Sequence, residues 1–117
     1  MRVNPGPILR WLYPDVVWSI DDSEGLYLTF DDGPTPGVTE WILHTLDRYN
    51  AKATFFVLGK NVELYPDLYQ MILDRGHKVG NHTYSHQKGW RMPTERYIED
   101  VDLAADMVHS ELFRPPY

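Results

Sequence analysis

The chain is expected to be an α/β protein built on a parallel sheet. Short apolar runs of strand length alternate with longer segments whose apolar residues recur at helical spacing, and Gly and Pro punctuate the junctions. The acids and histidines with the clearest chemical pattern follow directly after these runs. Parallel β/α units gather such residues at the carboxyl ends of their strands, where the loops converge.

Taken in order, residues 16–20 and 26–30 read as strands joined by Asp21-Asp22-Ser23-Glu24-Gly25, a polar connection of hairpin length. Thr35 and Pro36 supply a cap and a first helical position, after which Val38, Trp41, Ile42, Leu46 and Tyr49 mark one helical stripe. Residues 53–58 form a buried second strand. Residues 66–75 form a second helix with Leu68, Met71 and Ile72 inward and Gly76 as its stop. A short third strand spans 77–80. The last helix starts at Thr94 as N-cap and turns Ile98, Val101, Ala105, Val108 and Leu112 to one side, before a fourth strand begins at 112–114.

With 117 residues, one modest core is affordable and two ordinary domains are not, so residues 1–117 are read as a single domain, with 1–20 as an N-terminal extension and first strand. A net charge of -6 excludes a phosphate-backbone partner, which needs a basic face; no nucleic acid is expected. The absence of cysteine leaves imidazole and carboxylate as the donors for any transition metal. Pro5, Gly6 and Pro7 interrupt the N-terminus, and charges break every longer apolar stretch. Neither a signal peptide nor a membrane span is visible, which leaves the compartment open.

Three motifs carry chemistry. Thr29-Phe30-Asp31-Asp32-Gly33-Pro34 puts adjacent carboxylates at a strand end, His82-Thr83-Tyr84-Ser85-His86 pairs two imidazoles four residues apart, and Phe113-Arg114-Pro115-Pro116-Tyr117 follows the last helix. Each alone has an ordinary explanation: a turn, a surface pair, a polyproline stretch. In order, and each at a predicted strand end, they describe a hydrolytic metal site. Asp32, His82 and His86 are the expected ligands, provided the turn between the histidines points both rings the same way. Asp31 is the neighbouring candidate base. His44 and His109 are read as structural, His77 is assigned no metal role, Thr83 and Ser85 are read as sources of outer hydrogen bonds, and Trp90 and Tyr84 as aromatics able to stack on a sugar.

From Leu26 to Tyr117 the sequence resembles the polysaccharide deacetylases, the NodB-homology proteins of carbohydrate esterase family four, whose motifs run TFDDGP, H-[ST]-x-x-H and R-x-P-Y. The resemblance implies a distorted barrel of seven or eight β/α units, of which these residues are the N-terminal half, truncated after the third motif. It implies a divalent metal, Zn2+ by preference, on Asp32, His82 and His86. Asp31 becomes the catalytic base, Arg114 the cation that contacts it, and Tyr117 a backbone oxyanion donor. The expected substrates are N- or O-acetylated polymers of the chitin, peptidoglycan or xylan type.

In the family, a histidine in a downstream Leu-x-His motif protonates the departing amine, and no such motif occurs in these residues. N-deacetylation is therefore expected to be slow, with ester hydrolysis the better remnant. Self-association through an exposed sheet edge is also expected. The alternatives are an inactive carbohydrate-binding or assembly module, and a hydrolase of small amides with the same residues.

Overall fold

Three parallel strands order the molecule and end on a common rim. In the computed structural model, which describes residues 6–20 and 25–117, β1 (Leu28–Asp31), β2 (Ala53–Val57) and β3 (Lys78–Asn81) lie side by side in chain order. Asp31 pairs with Phe56 and Val57 with Asn81, so the acids of the first motif and the start of the histidine motif leave the sheet at one end. Central β2 buries Ala53, Phe55, Phe56 and Val57, the near-continuous apolar run of a strand covered on both faces. The expected fourth strand is reduced to one parallel bridge between Asn81 and Phe113. Asn81 N–H donates to Leu112 O at 2.8 Å and Asn81 O accepts the Arg114 N–H at 3.0 Å, which carries Arg114 to the same rim.

The crossover segments form α2 (Val38–Arg48), α3 (Gly59–Leu64), α4 (Pro66–Asp74) and α5 (Thr94–Ala105), after an N-terminal α1 (Pro7–Leu12) that buries nothing. Leu43 and Leu46 of α2, Val62 of α3, Ile72 of α4 and Val108 meet Phe55, Val57 and Val79 in one core. Each such side chain contributes about 1.5–3 kcal/mol through burial. At Gly59 an added Cβ would lie 2.7 Å from the Tyr84 ring and 3.1 Å from Ala104, so glycine alone lets α3 approach both. Gly76 takes φ +74° immediately after α4, as its role of stop signal requires.

Several expectations are corrected. Residues 16–20 form no strand: Val17 and Ile20 are 79% and 66% exposed, and β-branched propensity without a pairing partner does not make a sheet. The predicted turn at Asp21–Glu24 lies outside the described residues. β1 begins at Leu28 and runs through Asp31. Helix α2 starts at Val38 with Gly37, at φ +77°, as its N-cap and not Thr35; Thr39 in its first turn ties back to Thr35, its Oγ1 accepting the Thr35 N–H while its own N–H donates to Thr35 O, both at 2.8 Å. The buried stripe of α2 is Thr39, Leu43 and Leu46, leaving Val38, Trp41 and Tyr49 exposed. In α5 the buried position is Ala104 and not Ala105, and the helix ends before His109. Helices α1 and α3 were not anticipated.

Trp41 and Tyr49 instead flank an apolar groove of about 380 Å³ along β1, lined also by Leu28, Phe30, Ile42 and Leu46. No helix among the described residues is long and apolar enough to cross a membrane.

Candidate metal centre and active site

The rim brings together side chains from three separate stretches. Asp32 follows β1 in the left-handed region, φ +70°, and its carbonyl is fixed by Asn61 Nδ2 of α3 at 2.8 Å. Its Oδ1 lies 3.3 Å from His82 Nε2 and 3.1 Å from His86 Nε2. All three donor atoms fall within 4.8 Å of one another. His82 is 3% exposed, and its Nδ1 is 2.7 Å from Arg114 O. A carbonyl only accepts, so Nδ1 carries a proton, and in the neutral tautomer Nε2 turns its lone pair toward the Asp32 carboxylate.

With both imidazoles neutral, a cation between these acceptors would satisfy all three. Tetrahedral ligands at about 2.0–2.1 Å from one ion stand roughly 3.3 Å apart, which the observed spacings match. Carboxylate and imidazole suit a divalent ion of zinc character, so the donor set fits the metal expected from the motifs.

The two histidines converge without the helical turn that their spacing called for. Residues 82–86 are irregular, with Thr83 at φ +67° and His86 at φ +60°. Left-handed non-glycine residues cost about 1–3 kcal/mol each and persist only where surroundings over-determine them. Here Asn81 Oδ1 accepts the Thr83 N–H at 2.8 Å, Thr83 Oγ1 accepts the His86 N–H at 3.1 Å, and Thr83 is fully buried. The anticipated outer role of Thr83 is therefore a bond to the His86 backbone, not to an imidazole. Tyr84 donates its hydroxyl to Glu63 Oε2 at 2.6 Å, a bond that pushes its pKa up, and so is tied to α3.

Asp31 is engaged differently from Asp32. Arg114 Nη1 donates to its Oδ1 at 2.6 Å and to Thr29 Oγ1 at 3.0 Å, while the guanidinium lies 4.0 Å over the Phe56 ring. The expected contact between the third motif and the first acid is present. Tyr117, at φ +69° and 66% exposed, sets its ring 5.0 Å from His86 and 5.9 Å from Trp90, with Lys88 Nζ 4.2 Å over its face. Asn61 and Glu63 were missed as site residues, for both lie outside the motifs and enter only through tertiary contact; Thr29 opens the first motif but was given no role until its bond to Arg114.

His77 stands elsewhere, at the amino end of β3. It is 5% exposed, its Nδ1 accepts the Ala53 N–H at 3.3 Å, and its ring lies 5.4 Å from Phe55. Its lack of an assigned metal role fits this placement.

A model of the family described as polysaccharide deacetylase matches residues 20–117. The chain belongs to this family. Over 96 residues it is 40% identical to the peptidoglycan-N-acetylmuramic acid deacetylase PdaC of Bacillus subtilis, covering 77% of this chain and 21% of that protein. Over 95 residues it is 40% identical to chitin deacetylase 1 of Saccharomyces cerevisiae, covering 76% of this chain and 30% of that one.

The solved structure of Bacillus subtilis PdaC superposes with a TM-score of 0.70 at 38% identity, over 78% of this chain and 48% of that one. A family 4 carbohydrate esterase from Streptomyces lividans, in complex with acetate, gives 0.72 at 32% identity, over 79% and 50%. The chain thus spans about half of the solved chains it matches and less than a third of these two curated relatives, and its parallel β/α units correspond to part of the fold.

Proposed function

We propose that this chain hydrolyses acetyl groups on carbohydrate polymers, using a divalent cation, Zn2+ by preference, held by Asp32, His82 and His86. The observation that carries the proposal is the meeting of the Asp32 carboxylate with two Nε2 atoms at 3.1 and 3.3 Å, beside a second acid held by an arginine instead of by the histidines. Bound there, the ion would supply Lewis-acid polarisation of the acetyl carbonyl and a water acidic enough to attack near neutral pH. Asp31 accepts the proton of the attacking water, and Arg114 holds its carboxylate in one orientation. The Tyr117 backbone N–H donates to the oxygen that gains charge in the tetrahedral intermediate.

The departing amine needs a proton, and these residues contain no Leu-x-His motif to supply it. Asp31, having taken the water proton, is the acid among the described residues placed to return it to the leaving group. Acetate release from acetylated xylan, chitin oligomers and peptidoglycan, with Zn2+ and with a chelator, tests this. Release that the chelator leaves unchanged overturns the metal-dependent reading.

A second reading is a catalytically inactive carbohydrate-binding module. It is favoured by a solved relative described as a mutant of a family four pseudoenzyme with restored enzymatic activity, 28% identical with a TM-score of 0.68. Sugar and metal binding with no Asp31-dependent release would decide for it.

Self-association through the exposed sheet edge belongs to the proposal as well. Light scattering coupled to size-exclusion chromatography should show mass rising with concentration. A monomer at every concentration would remove this part.

A further inference from the structure

We propose that Asp100, in the middle of α5, is a positioning residue for the metal centre: its carboxylate fixes the turn between His82 and His86 and thereby sets where His86 presents Nε2. Oδ2 accepts the Tyr84 N–H and the Ser85 N–H, both at 3.1 Å, and Oδ1 accepts the Ser85 hydroxyl at 2.6 Å. The Tyr84 N–H is shared with the Asp100 carbonyl, also at 3.1 Å. An acid in mid-helix ordinarily faces water, where it costs least; this one spends both oxygens on two successive residues of another segment. Charge-assisted bonds of this kind are shorter and about twice as strong as neutral ones.

The need for such a clamp follows from the local backbone. On the side of β2, the segment is held as a continuation of the sheet: His82 N–H donates to Val57 O, Gly59 N–H to Thr83 O, and Lys60 N–H to Tyr84 O. The amides of Tyr84 and Ser85 point the other way, toward α5, where no strand receives them. Without the carboxylate the Ser85 N–H would be an orphaned donor in a half-buried loop and the Tyr84 N–H would keep only the Asp100 carbonyl, leaving the turn free to open toward water. His86 lies one residue beyond, at φ +60°, so any such turn rotates its ring away from Asp32 Oδ1. His82 is insulated from that motion by its own bond to Arg114 O. Asp100 therefore governs the relation between the two imidazoles and touches neither.

The inference rests on the metal-site reading above, and its test separates the two. In the full chain, Zn2+ affinity is measured by competition with a chromophoric chelator, and ligand geometry by the visible d–d bands of the Co2+-loaded protein. Asp100→Asn keeps the shape but offers one acceptor oxygen and an NH2 that opposes the donors. It is expected to lose roughly 10–100-fold in Zn2+ affinity, the range for outer partners of ligands. Its Co2+ bands should shift or weaken, and Asp100→Glu should recover part of both.

Ile72→Val, a core truncation remote from the rim, lowers the melting temperature and leaves affinity and bands unchanged, which sets a positioning role apart from general destabilisation. Should Asp100→Asn fail to fold, Ser85→Ala removes the 2.6 Å bond alone and is read by the same two signals. Wild-type binding that Asp100→Asn, or in its place Ser85→Ala, leaves intact with unaltered Co2+ bands overturns the positioning role and spares the metal site. Wild type that binds no Zn2+ overturns both.

Discussion

His77 and His82 sit at opposite ends of β3, five residues apart and 5% and 3% exposed, yet their surroundings give them different chemistry. At the carboxyl end His82 has a partner on each nitrogen: Arg114 O fixes the tautomer, and Asp32 Oδ1 waits opposite the lone pair. At the amino end His77 spends Nδ1 on the Ala53 N–H, and its buried Nε2 has no partner among the described residues. A buried unsatisfied donor costs about 1–3 kcal/mol. Burial alone thus does not mark a functional histidine. What separates the two is the end of the sheet, because only one end collects the loops that bring acids from other strands.

The largest effect that sharpens this contrast is catalytic. Asp31→Asn should lower metal-dependent acetate release about 10²- to 10⁴-fold, the usual worth of a general base, with little change in melting temperature. His77→Gln should leave the rate per folded molecule near wild type. Equal loss of rate in both variants, at matched stability, would break the contrast.

Next comes metal affinity. His82→Ala removes a proposed ligand and leaves Arg114 O without its donor, so Zn2+ binding should weaken by more than the roughly 10–100-fold that an outer partner is worth. Calorimetric titration reads it directly. His77→Gln in the same titration should match wild type, and a His77 variant that loses Zn2+ would transfer the site to the wrong end of the strand.

How much of this was legible beforehand follows the same division. The motif letters placed Asp31, Asp32, His82, His86 and Arg114 at strand ends, and the rim gathers all of them, because alternation of strand and helix dictates a parallel sheet whose loops share one end. Spacing was a poorer guide to local conformation. The pair His82 and His86 implied a helical turn, whereas the segment is irregular and stapled by Asn81, Thr83 and Asp100. The Asp100 staple is a tertiary bond from another element, and the Asn81 and Thr83 staples are local side-chain bonds that histidine spacing does not encode. The apolar stripe of α2 failed for a related reason: Trp41 and Tyr49 have the right period, but the helix turns Thr39, Leu43 and Leu46 to the sheet and leaves the aromatics over the β1 edge. Periodicity fixes which residues share a face, and packing selects the face. Residues 16–20 show the converse, apolar and β-branched yet unpaired, since strand propensity expresses itself only beside another strand.

The smallest effect concerns pH and isolates His77. Desolvation lowers its proton affinity first, Lys52 and Arg75 lower it further, and Asp47 offsets part of this. In the unfolded chain the same imidazole titrates near 6.5. Below about pH 6.5 the unfolded state therefore binds more protons than the folded one. Stability rises with pH through that window and falls as the medium is acidified, until the lowered folded-state value is itself passed. The slope for one proton is at most about 1.4 kcal/mol per pH unit. Urea midpoints for wild type and His77→Gln, taken with chelator between pH 7.5 and 5, should diverge in sensitivity, with wild type losing more on acidification. Gln retains an acceptor for the Ala53 N–H but no titrating group, and His82 and His86 are common to both proteins and cancel in the difference. Parallel slopes would mean that the proton enters His77 as easily folded as unfolded, and the orphaned Nε2 would then be no liability to the amino end of the sheet.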